Sequence, residues 1–400
     1  MTPVSSASGE HAGDEAGTSW FYNPRVRGVV FQFLVVAALV GVVAFFAYNA
    51  KTNLERAGIA SGLGFFSERA GFDISQTLVP YTNDSTYFRA FLVGLVNTLL
   101  VASIGILIAT VIGFIVGVAR LSKNFVIRQL AQLYVEILRN VPLLLQLLFW
   151  YKAVLSVLPS PRQSLEPMSG VFLNNRGLIL PEVIGQPGSG LIGYALLAAI
   201  AAAFGISRWA RARQLATGKQ FPSLIVGLCL IVLLPLLTFF VTGMPVDLAY
   251  AELKGFNFAG GMVVNPEFMA LLLGLSLYTA AFIAEIVRAG ILAVSHGQTE
   301  AAFSLGLRPR RTLQLVVIPQ AMRVIIPPLT SQYLNLTKNS SLAVAIGYPD
   351  IVAVFAGTVL NQTGQAVEVI IITMLVYLTI SLSTSAFMNW YNRRVALVER

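Results

Sequence analysis

Residues Glu285 to Ala321 read EIVRAGILAVSHGQTEAAFSLGLRPRRTLQLVVIPQA. This basic, amphipathic stretch is set between two long apolar runs, Phe268 to Ile286 and Val324 to Ile346. It reads as a cytoplasmic loop built to dock a partner. Ser295 and Gln298 have capping-box spacing, which predicts a short helix from Gln298 to Leu305. Gly306 suits the end of that helix. Pro309 suits the first turn of a second one that exposes Arg310 and Arg311. The small side chains of Ala301 and Ala302 permit close approach of another surface, and Glu300 offers a charge to a cationic group. An ordinary amphipathic surface helix is the plainer alternative.

Composition puts the flanking runs in a membrane. The 400 residues are 56% hydrophobic and 11% charged, against about 25% charged in soluble domains, and mean hydropathy is +0.75. The net charge of +9 is read as topology, because cytoplasmic loops of membrane proteins collect Lys and Arg; it does not point to nucleic acid. Cys229 is the single cysteine, so no intrachain disulfide forms. His11 and His296 are too far apart in sequence to suggest a metal site.

A span needs roughly 20 mostly apolar residues, and about eight candidates follow. They are Gly28 to Tyr48, Phe91 to Ala119, Val141 to Leu158, Leu191 to Ser207, Ser223 to Gly243, Phe268 to Ile286, Val324 to Ile346 and Val367 to Trp390. The seventh is the weakest, because it contains Pro327, Pro328, Lys338 and Asn339, and hydropathy alone marks it as doubtful. Charge parity supports counting it. With both termini inside and all eight threaded, every inner loop is basic and the outer segments are mixed or acidic; dropping one span inverts everything after it. The polar, acidic head (Glu10, Asp14, Glu15) is expected to be disordered, and Gly28 to Tyr48 to be a retained span, since the head is unlike a basic signal-peptide start. Ser160 to Gly190, with several Pro and Gly, is expected to be an irregular outer loop. Arg208 to Gln220 is expected to be a short basic inner loop.

Two further blocks carry polar chemistry in apolar surroundings. Tyr134 to Tyr151 reads YVEILRNVPLLLQLLFWY. Glu136 and Arg139 share one helix face, either as a gating or inter-helix contact or as a local ion pair; Glu285 and Arg288 repeat the spacing. Gln146 lies deeper. Leu334 to Gly347 reads LNLTKNSSLAVAIG. A charge near mid-membrane costs roughly 2.5–3.5 kcal/mol on insertion scales, so Lys338 should face a polar cavity or a partner. Asn335, Thr337, Asn339, Ser340 and Ser341 surround it with hydrogen-bonding groups. Two readings stay open: these residues line a substrate pathway, or Lys338 is structural and pairs with Glu285 or Glu368. Asn97, Thr98 and Ser103 are milder pathway candidates. Gly113 and Gly117 form a GxxxG, a signature of close helix packing.

The spacing Glu300-Ala301-Ala302, three residues, Gly306, nine residues, Val316-Val317-Ile318-Pro319 resembles the EAA loop of ABC importer permeases. The blocks at Tyr134 and Leu334 resemble the polar amino acid branch of that family. The enlarged form looks like the general L-amino acid or glutamate/glutamine/aspartate/asparagine type of importer subunit. The resemblance implies an all-α polytopic membrane protein with about eight transmembrane helices, built on a type I ABC importer permease core of about five. It covers 91–158 and 266–394. The tail 1–27, the extra span and loop in 28–90, and the insert 159–265 with two extra spans are additions.

The resemblance also implies an ATPase-coupling loop at Gln298, Glu300, Ala301, Ala302, Gly306 and Pro319. The implied partners are an ABC ATPase subunit, a second permease subunit forming a heterodimer, a periplasmic amino acid-binding protein and the lipid bilayer. ATP and Mg are expected on the ATPase and no cofactor on this chain. Its only Gly-Lys pair, Gly218-Lys219, is followed by Gln220, with Arg213 where a P-loop needs its first Gly. The implied place is the bacterial inner membrane. An ion-coupled secondary transporter would also explain Lys338 and the broken seventh span, but not the EAA spacing.

Overall fold

A computed structural model describes residues 24–56 and 62–395; the acidic head expected to be disordered lies outside them. Helix α1 spans Pro24–Arg56, α2 Tyr87–Ala119, α3 Phe125–Asn140 and α4 Leu143–Leu148. A π-helical stretch, Phe149–Leu155, continues α4. Strands β1 (Leu165–Met168), β2 (Val171–Asn174), β3 (Gly177–Leu180) and β4 (Glu182–Gly185) precede a helical hairpin, α5 (Ser189–Thr217) and α6 (Ser223–Val241). Strands β5 (Val246–Ala249), β6 (Glu252–Lys254), β7 (Asn257–Ala259) and β8 (Met262–Val264) follow. The remainder is helical: α7 (Pro266–Leu292), α8 (His296–Ser304), α9 (Pro309–Thr312), α10 (Ile318–Asn339), α11 (Leu360–Thr363) and α12 (Ala366–Val395).

Among the described residues seven helices are long and apolar enough to cross a membrane, or eight if one bent pair counts as a span. That pair is the third expected span. It is not the straight run Val141 to Leu158: α3 and the Leu143–Leu155 helix meet at 106°. The cause is local. Pro142 cannot continue the ladder, and Val141 takes the extended conformation (φ −96°, ψ 128°) favoured before proline. Asn124 caps the start of α3, its Oδ1 accepting from Val126 N at 2.9 Å. The doubtful seventh span does form, as one continuous apolar segment from Pro309 to Ile346. Pro327 and Pro328 lie inside α10, and a 3-10 stretch, Ser340–Ile346, ends at Gly347.

The core is organised around α7, which buries Leu271, Leu275, Ile283 and Val287 against α2, α4 and α10. The α2 contact depends on missing side chains. A Cβ at Gly113 would sit 2.5 Å from Ile283 Cγ2, and one at Gly117 would sit 2.7 Å from the Ala284 carbonyl oxygen. The GxxxG is therefore a helix-packing seam, as its spacing suggests. Gly290 gives the same room to Ile325 of α10.

The insert departs from expectation. Ser160 to Gly190 is not an irregular loop: β1, β2 and β3 form antiparallel hairpins, and β8 adds to β3 with Ile179 opposite Val263. β4 pairs with β5, and β6 with β7. Strands from before α5 and after α6 thus close into a small β module at the foot of the helical hairpin, with Ile179 buried. Arg208, Arg211 and Arg213 are not in a loop, because α5 runs on to Thr217 and stops at Gly218 in the left-handed conformation. A Cβ at Gly227 of α6 would sit 3.3 Å from Ala203 Cβ of α5. Along α1, residues 27–48 are exposed throughout.

Candidate functional site

α8 follows α7 after a three-residue turn, Ala293 to Ser295. Ser295 is its N-cap residue but makes no side-chain cap bond, so the expected capping box is absent. Gln298 instead accepts from Gln320 Nε2 at 3.1 Å, tying α8 to α10. The C-terminus closes as the sequence predicts. Gly306, at φ +74°, donates to the Phe303 carbonyl at 2.8 Å, and Leu307 donates to Ala302 at 3.1 Å. This is the paired pattern of a Schellman stop. Ala302 is buried, while Glu300 and Ala301 face out. Glu300 lies 3.0 Å from His296 Nδ1, one turn back. Phe303 and Leu305 are 47% and 82% exposed, leaving apolar surface uncovered beside the turn. Pro309 opens α9, Arg310 and Arg311 point outward, and Pro319 is exposed near the start of α10.

Behind this loop three arginines surround one carboxylate. Glu285 on α7 pairs with Arg288 at 2.5 Å, with Arg120 at the end of α2, and with Arg139 of α3 at 3.9 Å. Arg139 also lies over the Phe282 ring at 5.1 Å. Glu136 does not pair with Arg139; it accepts from Gln132 at 2.7 Å. The four charges therefore fasten the ends of three helices, which the i,i+3 spacing alone does not reveal.

Lys338 is exposed on α10, as is Asn335; Asn339 and Ser341 are half-buried. Ser340 is buried, its hydroxyl donating to Thr337 at 2.7 Å. Neither expected carboxylate pairs with Lys338. Glu285 is taken by arginines, and Glu368 accepts from Gly62 N at 2.7 Å. Asn97, Thr98 and Gln146 lie elsewhere. Asn97 Nδ2 donates to the Gln76 and Pro349 carbonyls, both at 2.9 Å. Thr98 Oγ1 accepts from Ile351 N at 3.0 Å. Gln146 Nε2 donates to Leu138 and Val141 across the bend, both at 2.9 Å. All three are buried in these contacts.

Sequence reasoning missed Asp350. It is fully buried between the spanning segments that end at Ile346 and begin at Ala366. Burial pushes its carboxyl up to about 7, against the pull of the Ala353 N–H at 2.8 Å. Tyr377 donates to its other oxygen at 3.4 Å. The only sequence signal was an acid following Tyr348-Pro349 in an apolar stretch.

Comparison with known proteins gives the family. Residues 217–397 match the family model for the binding-protein-dependent transport system inner membrane component. The chain is 54% identical over 389 residues to the general L-amino acid transport system permease protein AapQ of Rhizobium johnstonii, covering 96% of this chain and 97% of that one. It is 53% identical to the putative amino-acid ABC transporter permease YhdX of Escherichia coli K12, covering 96% of this chain and 98% of the other. Identity to the glutamate/glutamine/aspartate/asparagine permease BztB of Rhodobacter capsulatus is 42%, over 95% and 96% of the two chains. Matched end to end at that identity, the chain belongs to the binding-protein-dependent transport permeases, the multi-pass, non-catalytic membrane subunits of ABC transporters.

Proposed function

We propose that this permease takes up L-amino acids, polar or of broad range, as the membrane subunit of an ATP-driven importer supplied by a periplasmic binding protein. The relatives' names support the substrate class. One observation carries the coupling: α8 ends in a fixed Schellman turn with Phe303 and Leu305 uncovered and Glu300 facing out. That is a rigid plug offered to a groove. The groove belongs to the ATPase subunit, which holds ATP and Mg. The end bearing α8, Arg308, Arg310 and Arg311 lies in the cytoplasm of a bacterium, with both termini, because basic residues stay inside. A distinct second permease completes the pathway. The core of the present chain is 91–158 with 266–394; 28–90 and 159–265 are additions. The pathway candidates are Lys338, Asn335, Asn339 and Ser341, which retain polar atoms at or near the surface of α10.

ATP binding must favour one permease conformation by about 5.5 kcal/mol to take it from 1:99 to 99:1. The Glu285 cluster ties α7, which leads into α8, to α2 and α3. It would carry that bias from the plug into the bundle. The test is uptake by vesicles holding the whole assembly, with ATP inside and loaded binding protein outside. ATP-dependent accumulation supports the proposal; accumulation driven by an ion gradient without ATP refutes it.

A further inference from the structure

A pocket of about 540 Å³ opens where the β module meets the core, within the roughly 300–1,000 Å³ of small-molecule sites. Three elements wall it. The π-helical stretch brings Tyr151 and Lys152, with Ser156 just beyond it; the β2–β3 turn brings Asn175 and Arg176; the first turn of α7 brings Glu267. Tyr151 donates to Glu267 Oε1 at 2.8 Å, which orients the carboxylate and leaves its other oxygen without a donor among the described residues. Lys152 lies over the Tyr151 ring at 5.0 Å. Among the described residues neither Lys152 nor Arg176 has a carboxylate within ion-pair distance. One cavity thus holds two cations and a carboxylate that do not satisfy each other.

We infer that this pocket receives a free α-amino acid before it enters the membrane path. The ammonium goes to Glu267 and the α-carboxylate to one of the two cations. The other cation is in surplus. It accepts a side-chain carboxylate or amide oxygen and repels a basic side chain, so the pocket selects neutral-polar and acidic amino acids over basic ones. Gly347 also lines the pocket and closes the 3-10 stretch. At about 2 Å rise per residue, that stretch of seven residues leads down to the Lys338 surface. Because Asn175 and Arg176 belong to the insert, the β module acquires a role, which is to complete a vestibule that selects by charge. The inference rests on the amino-acid import reading above.

The test is saturation-transfer NMR on the permease in nanodiscs, with L-glutamine, L-glutamate and L-arginine as probes and butyrate and butylamine as single-charge controls. Expected is transfer to glutamine and glutamate, at least fivefold weaker transfer to arginine and to either control, and loss in Arg176→Glu and Glu267→Gln. Arg211→Ala, exposed near the end of α5 away from the β module, should keep the signal. Size-exclusion profiles and melting temperatures of the variants must match the parent. A parallel arm measures vesicle uptake by the full assembly at saturating binding protein, where Arg176→Glu should lower the maximal rate severalfold. Uptake of glutamine by the parent with no transfer, or with no effect of Arg176→Glu and Glu267→Gln on either readout, overturns the pocket and leaves the import reading standing. Failure of the parent to move any amino acid removes both.

Discussion

Gly306 offers a clean perturbation of the plug. A Cβ built there meets nothing within 4 Å, so substitution changes the backbone preference and no packing. Its φ of +74° costs an L-residue roughly 1–2 kcal/mol, less for Asn, whose side chain tolerates the left-handed region. Leaving that region breaks the two bonds that end α8, Gly306 to Phe303 and Leu307 to Ala302. It also lets Phe303 and Leu305 swing away from their docked directions. At 1.4 kcal/mol per tenfold, Gly306→Ala should weaken ATPase-subunit binding about fivefold and Gly306→Val about 30-fold, with Gly306→Asn within about threefold. The assay titrates the ATPase subunit onto reconstituted permease and reads stimulated hydrolysis, with amide exchange at Leu305 and Leu307 as a check on the turn. A Gly306→Val variant with parental affinity would refute the reasoning, as would an Asn variant weaker than Ala.

Three other outcomes follow from the packing and charge. Glu285→Gln leaves Arg120, Arg139 and Arg288 facing one another; with Glu285 27% exposed, the loss should be roughly 2–3 kcal/mol, below the range for a fully buried pair, read by thermal unfolding in detergent. Gly117→Ala places a methyl against Ala284 and Val287 and should cost about 1–3 kcal/mol by forcing α2 off α7, whereas Gly41→Ala on α1, with nothing within 4 Å, should cost nothing measurable. Asp350 is raised from its usual 3.8 to about 7. The native state therefore keeps a proton that the unfolded chain has released, and stability should fall as pH rises between these values, by at most about 1.4 kcal/mol per unit. Asp350→Asn should flatten that slope in melting curves.

Much of this fold is legible from residue pattern because lipid demands long apolar runs. Charge parity also argues for Val324 to Ile346, the span whose apolarity Pro327, Pro328, Lys338 and Asn339 interrupt; it lies inside the apolar segment Pro309 to Ile346. Gly306 and the Gly113/Gly117 seam are legible for a related reason: each is a position where any side chain would be strained or would clash. The β module was hidden because its strands are only three or four residues long, too short for alternation to stand out, although Asn174 to Gly177 between the apolar triplets Val171–Leu173 and Leu178–Leu180 was a usable hairpin signal. Of α3 only the part bearing Glu136 and Arg139 is read as helix from the sequence. Its cap at Asn124 and the break at Pro142 were both readable, but its moderate apolarity did not mark it as a span. The contacts of Glu285 with Arg120 and Arg139 and the Tyr151–Glu267 bond join residues more than a hundred positions apart, which no local spacing encodes; only the Glu285–Arg288 pair was legible from its spacing.

On the reading proposed above, α8 is a cytoplasmic plug held by a motor subunit. The most direct test is thiol labelling of Ala301→Cys in a Cys229→Ser background, since Cys229 is itself exposed. A membrane-impermeant maleimide should leave the new thiol untouched in intact spheroplasts, modify it in inverted vesicles, and fail to do so once the ATPase subunit is bound. Labelling from the outside, or labelling from the inside that the ATPase subunit does not block, would contradict the account.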